Sequence, residues 1–200
     1  MSESTLDRFI LSPSSWTEKL DLVADYGRDA PLVLDIGCGK GRFLVSQASK
    51  HPELNFLGID RQLVRLRKVS KKMVRQGADN VRLLRIEASY ALSWLLPDAS
   101  VKLAYVFFPD PWPKRRHHRR RLFSPVFLDT LLRVLMPDGE IYVATDHLPY
   151  FDEIHEIFSA DERFLEIPPF VPDPDEQTEF EEIFLEQGKP IGRAGFRKKS

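Results

Sequence analysis

Five acidic residues and three closely spaced glycines carry most of the chemistry this sequence offers. The densest group is Asp35-Ile36-Gly37-Cys38-Gly39-Lys40-Gly41. Glycine at every second position lets the backbone take positive φ, or approach a ligand that a Cβ would obstruct. A dinucleotide fingerprint would space its glycines G-x-G-x-x-G and seat a pyrophosphate on a helix N-terminus. Here the spacing is G-x-G-x-G, and Asp35, two residues earlier, would repel a pyrophosphate. A carboxylate at that point suits a cationic or hydroxyl-bearing ligand, and S-adenosylmethionine offers an ammonium, a sulfonium and a ribose. On this motif alone, a nucleotide site and a purely structural turn remain open as alternative readings.

Asp60 and Glu87 also follow apolar runs. With Asp35 they are expected at the carboxyl ends of three successive strands, where open α/β sheets bind ligands. Asp60 suits the two hydroxyls of a ribose and equally suits capping the next helix. Asp110 lies in Pro109-Asp110-Pro111-Trp112-Pro113-Lys114, whose prolines reduce the entropy lost when the segment is fixed against a substrate. Residues 114–121 hold six Lys or Arg and two His, which reads as a local polyanion site. Asp146 ends a later apolar run. Cys38 reads as a small residue between glycines, and His155 as a packed or surface residue. No cluster has metal-ligand spacing, and no Ser-His-Asp arrangement stands out.

The elements that must position these groups alternate. Strands are expected over residues 32–36, 55–60, 81–86, 101–108, 140–145, 164–167 and 192–198. Helices are expected over 12–27, 43–50, 62–75, 91–96, 124–135, 150–159 and 178–186, with a turn at 136–139. Alternation of this kind implies an α/β fold. One domain spans 1–200, residues 1–30 form a covering segment, and the Pro-rich stretch 168–177 is a long connection. Arg61, Arg65, Lys68, Lys72 and Arg75 form a stripe on the third helix, which reads as a solvated face or as an auxiliary phosphate track.

Composition is that of an ordinary globular domain, 42% hydrophobic and 30% charged. The net charge of −1 hides segregation, because residues 148–190 hold thirteen acids against two bases. No run approaches the roughly 20 apolar residues of a membrane span. Residues 1–5 have no leader-like features, and a single cysteine permits no intrachain disulfide, so a cytoplasmic setting is expected.

The strings FPDPWPKRRHHRRR, LDIGCGKGRFL, VATDH and TEFE together resemble the bacterial tRNA (guanine-N7)-methyltransferase family. The resemblance implies a Rossmann-like class I methyltransferase sheet, mostly parallel with an antiparallel C-terminal strand and helices on both faces. It implies methyl transfer from S-adenosylmethionine to guanine N7 in the variable loop of tRNA, leaving S-adenosylhomocysteine. Cofactor positions fall on Asp35, Gly37, Gly39, Gly41, Asp60, Glu87, Ala88 and Asp110. Substrate positions fall on Lys114, Asp146, Thr178, Glu179, Phe180 and Glu181, and RNA contact on Arg116, His117, His118, Arg119, Arg120 and Arg121. Asp110 and Asp146 are the expected catalytic pair. The family commonly has Glu at position 35, Asp at position 87, and a basic or polar residue at 179. The resemblance further implies a monomer or homodimer with no obligatory protein partner and no membrane association. A methyltransferase for another RNA, and an RNA-binding module without catalysis, are the rival readings; the glycine spacing disfavours a nicotinamide oxidoreductase.

Overall fold

β1 (Leu32–Ile36) is buried along its whole length, because it pairs in parallel with β2 (Asn55–Ile59) on one side and β4 (Val101–Phe107) on the other. β3 (Val81–Leu84) and β5 (Leu135–Thr145) extend the parallel sheet. β7 (Gly192–Lys198) inserts antiparallel between β5 and the edge strand β6 (Phe164–Ile167), giving the order β3-β2-β1-β4-β5-β7-β6. This is the expected mostly parallel sheet with an antiparallel C-terminal strand. The computed structural model describes residues 7–200; residues 1–5, read above for leader features, lie outside them.

Helices cover both faces. α1 (Leu22–Tyr26), the helical turn α4 (Ala88–Tyr90) with its wider continuation Ala91–Leu95, α5 (Pro125–Val134) and α6 (Leu148–Ser159) pack on one side, around Tyr26, Leu92, Leu131 and Tyr150. On the other side α2 (Arg42–Lys50) and α3 (Leu63–Gln76) bury Phe43, Leu44, Leu66, Val69 and Met73. α7 (Glu179–Glu186) precedes β7. Among the described residues no helix is long and apolar enough to cross a membrane.

Two expectations are corrected. The helix expected over 12–27 shrinks to α1, because the Asp21 side chain caps it at the Ala24 N–H (3.0 Å). Upstream, the Leu20 N–H donates to the Leu95 carbonyl (2.8 Å), which holds the chain extended across the helical turn. Trp16 and Val23, at helical spacing within that expected helix, are 45% and 53% exposed. The turn at 136–139 is a bulge within β5, where the register jumps from Val101↔Leu135 to Leu103↔Glu140 and Asp138 adopts φ 58°.

The Pro-rich connection, though irregular, is packed. Phe170 inserts its ring against Tyr105 (5.2 Å between centroids), Phe43 and Phe107. Buried Glu176 accepts from Lys50 Nζ at 2.8 Å. The connection thereby crosses the α2 face of the sheet and delivers α7 to the carboxyl end of β1.

Candidate active site

At that carboxyl end the loop from Gly37 to Gly41 turns the chain from β1 into α2. Gly37, Gly39 and Gly41 all have positive φ (84°, 55° and 71°), a backbone that L side chains rarely adopt. The N–H groups of Gly37 and Cys38 donate to the Ile59 carbonyl at 2.8 and 3.1 Å, which ties the loop to β2. A Cβ on Gly37 would meet nothing within 4 Å, so that edge of the loop stays open.

Asp35 lies beneath the loop, 5% exposed, and no hydrogen bond or ion pair from the described residues reaches its carboxylate. Burial, then the charges of Asp60 and Glu179, push its pKa up to about 7. An unpartnered buried carboxylate is costly unless something cationic or hydrogen-bond-donating meets it. The carboxylate thus suits a cationic or hydrogen-bond-donating ligand approaching along a backbone without side chains. Cys38 shares the site, but burial first, then Asp35 and Asp60, raises its thiol pKa, so it is unsuited to act as a nucleophile.

One cavity joins this loop to the first turn of α7. Its walls include Asp35, Gly37, Gly39, Phe107, Thr178, Glu179 and Phe180. Thr178 caps α7, accepting from the Glu181 N–H at 3.0 Å. Ion pairs pin α7 in place: Lys72 Nζ to Glu179 (3.3 Å) and Arg42 to Glu182. Glu181 is buried and pairs with Arg193 of β7, while Glu181 Oε2 and Arg193 Nη1 have no partner.

The other sequence-predicted acids are placed less uniformly. Asp60 is buried just past β2, accepts from the Gln62 N–H at 2.7 Å and pairs with Arg65 at 3.3 Å; the cap position of α3 is Gln62, so Asp60 braces the approach to the helix and the capping reading is corrected. β3 ends at Leu84, and exposed Glu87 caps the turn that begins at Ala88 by accepting from the Tyr90 N–H (3.1 Å). The three acids are therefore not level: Asp35 lies within its strand, Asp60 next to its own and Glu87 beyond its own. Asp60, Glu87, Ala88 and Asp110 stand outside the cavity walls.

Positive φ at Phe108 (54°) and Trp112 (44°) marks strain at both ends of the Asp110 loop. Asp110 is exposed, as are Lys114, Arg115, Arg116, Arg119 and Arg120, most of them on a 3-10 turn (Arg115–Arg120). The Trp112 ring is covered by the Arg120 guanidinium (5.0 Å) and met edge-on by His117 (5.8 Å), so it is packed within its own loop. His117 and His118 are half-buried. Arg121 differs from its neighbours: its side chain is 5% exposed, donates to the Pro111 carbonyl (2.8 Å), pairs with Glu153 and lies over Tyr150. It holds the loop and is turned away from solvent.

Asp146 follows β5, and Lys189 Nζ sits 3.1 Å from its Oδ2. The cap of α6 is His147, whose Nδ1 accepts from the Tyr150 N–H. On α3, Arg65 and Lys72 of the predicted stripe turn to Asp60 and Glu179, while Lys68 and Arg75, and Arg61 just before the helix, remain exposed. Sequence reasoning missed Arg42, Arg65 and Ile183 as cavity residues and Lys189 as the Asp146 partner. Ile183 could have been found from its i+3 spacing to Phe180; Lys189 carries no local signal, because its partner is 43 residues away.

The sheet order, the glycine loop after β1 and the unpartnered acid beneath it define a Rossmann-like methyltransferase. Residues 29–194 match the family model described as "Putative methyltransferase". The chain is 37% identical over 179 residues to the tRNA (guanine-N(7)-)-methyltransferase of Halorhodospira halophila, covering 86% of this chain and 77% of that protein. It is 38% identical over 179 residues to the enzyme of the same name from Thermotoga maritima, covering 88% of this chain but 55% of that protein, so it spans about half of that relative. The chain belongs to the tRNA (guanine-N(7)-)-methyltransferase family, whose members are S-adenosylmethionine-dependent enzymes. A crystal structure of the 16S rRNA methyltransferase KamB superposes with TM-score 0.67 at 18% identity, covering 92% of this chain and 95% of that one, which bears on the fold alone.

Proposed function

We propose that this protein transfers the methyl group of S-adenosylmethionine to N7 of a guanine in the variable loop of tRNA. The observation that carries the reading is Asp35: a buried carboxylate without a partner, opening on a cavity whose far wall is the Thr178-Glu179-Phe180 turn. Asp35 and the glycine loop would hold the donor. When bound, it supplies an electrophilic methyl group.

Guanine N7 carries an in-plane lone pair and no proton, so no residue has to act as a base. The work of the chain is to hold N7 in line with the methyl carbon, which makes the reaction effectively intramolecular. The purine gains positive charge as the N–C bond forms. Asp146 and Asp110, though neither lines the cavity, would stabilise that charge once the base is bound, or accept from guanine N1–H and N2–H. Exposed Lys114, Arg116, Arg119 and Arg120 would hold the RNA backbone, with His117 and His118 beside them.

The reading places the protein in the cytoplasm with tRNA as its partner, acting as a monomer or homodimer without an obligatory second subunit. The test is transfer of labelled methyl to unmodified tRNA, followed by nucleoside analysis and mapping of the modified position, with Asp110→Ala and Asp146→Asn as controls. Expected is 7-methylguanosine in the variable loop, strongly reduced in both variants. A different methylated nucleoside would assign another RNA substrate, and RNA binding without cofactor binding would assign a binding module.

A further inference from the structure

Beside the cavity lies a second arrangement, in which Lys189 has so far no role except as the partner of Asp146. Phe180, 48% exposed on the cavity wall, stacks on Phe184 with ring centroids 6.1 Å apart, and Phe184 in turn meets Phe108 at 5.5 Å. Over the Phe184 ring, at 4.3 Å, sits Lys189 Nζ, and that same ammonium is the one 3.1 Å from Asp146 Oδ2. Gly188, with φ 66°, turns the chain at the end of α7, and the Lys189 N–H donates to the Phe184 carbonyl at 2.9 Å, which fixes the lysine's backbone over the ring. Asp146 Oδ1 accepts nothing from the described residues. An aromatic platform is thus flanked by an adjacent donor and acceptor.

The order of that pair matches one purine. Guanine presents O6, an acceptor, next to N1–H and N2–H, which are donors. Adenine presents the reverse, an N6 donor next to an N1 acceptor. A lysine ammonium has three donors, so Lys189 can keep its bond to Asp146 and offer another to O6. The free oxygen of Asp146 then faces N1–H or N2–H. With adenine, the ammonium would face the N6 amino group and the carboxylate would face the N1 lone pair. Both contacts would be repulsive, and leaving polar groups unpaired is how a site rejects the wrong analogue strongly.

We propose that Lys189 is a specificity residue that donates to O6 of the target guanine, forming with Asp146 a donor–acceptor reader for the edge of the base. This rests on the methyltransferase reading above and adds how the base is chosen.

The experiment compares wild type, Lys189→Met and Lys189→Arg on tRNA carrying guanine, or a single 6-thioguanine, at the position that the wild type methylates. Sulfur is a poor acceptor, so it removes the O6 contact from the substrate side. Expected is a loss of about tenfold in kcat/KM for Lys189→Met on guanine, the scale of one charge-assisted hydrogen bond. On 6-thioguanine, wild type and Lys189→Met should be nearly equal, because the contact is already absent. Lys189→Arg, which keeps a donor, should recover most of the activity, and S-adenosylhomocysteine affinity should not move in any variant. An equal loss on both bases would mean that Lys189 merely positions Asp146, and no loss on either would mean that it has no part in recognition; each overturns the proposal. Absence of 7-methylguanosine with the wild type would instead sink the functional reading on which it rests.

Discussion

Gly41 and Val69 approach so closely that a Cβ on the glycine would lie 2.6 Å from Val69 Cγ2 and 2.8 Å from Cγ1. The last glycine of the motif is therefore required by the packing of α3 against the loop. The first glycine is required only by its backbone, at φ 84°, since a Cβ there meets nothing within 4 Å. A cofactor motif read from sequence contains two different physical demands, and only the structure separates them.

Gly41→Ala should cost about 3 kcal/mol of folding stability, combining the left-handed backbone at φ 71° with overpacking against Val69. Gly37→Ala, with no neighbour within 4 Å, should cost ~1–2 kcal/mol from its backbone alone, yet weaken S-adenosylhomocysteine binding by narrowing the cavity. Urea unfolding and calorimetric titration check both. Val69→Ala in the Gly41→Ala background should be less damaging than the two single losses summed, since it removes the clash.

Arg121 should separate from the rest of its basic run. Arg121→Ala removes a side chain that is 5% exposed and leaves Glu153 without its partner, so about 2–3 kcal/mol of stability should be lost. Arg116→Ala, Arg119→Ala and Arg120→Ala should stay within about 0.5 kcal/mol of wild type. They should instead weaken tRNA binding, each lowering the log–log salt slope by roughly 0.7 to 0.9 if it neutralises one phosphate. Thermal melts and tRNA affinity at several salt concentrations would decide, and a wild-type melting temperature for Arg121→Ala would refute its holding role.

Arg121 also illustrates what a sequence can and cannot disclose. Most strand spans, the glycine loop and the position of Asp35 were legible because each depends on neighbours within a few residues: an apolar run or a turn. The buried role of Arg121 was not, because Glu153 and Tyr150 reach it from α6. Nor was the shrinkage of the first helix to α1, which depends on Leu20 bonding to a carbonyl 75 residues later, in the turn that follows α4. Glu87 was misplaced for the opposite reason: β3 stops at Leu84, and a local cap at Tyr90 took the acid that strand periodicity had assigned to the end of the sheet.

Asp35 should make the cofactor-free protein less stable as the pH rises. Its folded pKa of about 7, raised by burial, Asp60 and Glu179, exceeds the ordinary value. Between that ordinary value, ~3.9, and about 7 the folded chain keeps a proton that the unfolded chain has released. The favourable contribution is thus present at acid pH and withdrawn as the pH climbs to about 7. Asp35→Asn, which has no charge to bury, should match wild type near pH ~4 and exceed it above pH ~8 by on the order of 4 kcal/mol. In the wild type, binding of S-adenosylhomocysteine near pH ~6 should release a proton, seen as a dependence of the calorimetric heat on buffer ionisation.

Glu181 and Arg193 form the most deeply buried ion pair near the site, with side chains 1% and 14% exposed, and each leaves one polar atom unpaired. A buried pair contributes little net stability, but removing one partner strands the other's charge. Glu181→Gln should therefore cost about 3 kcal/mol. The double variant Glu181→Leu/Arg193→Met should regain most of that loss, because neither charge is then left alone. If the pair sets the placement of the Thr178-Glu179-Phe180 turn for the substrate, the double variant will fold, bind S-adenosylhomocysteine and methylate no tRNA. A double variant that is both stable and active would mean that the pair only fastens α7 to β7.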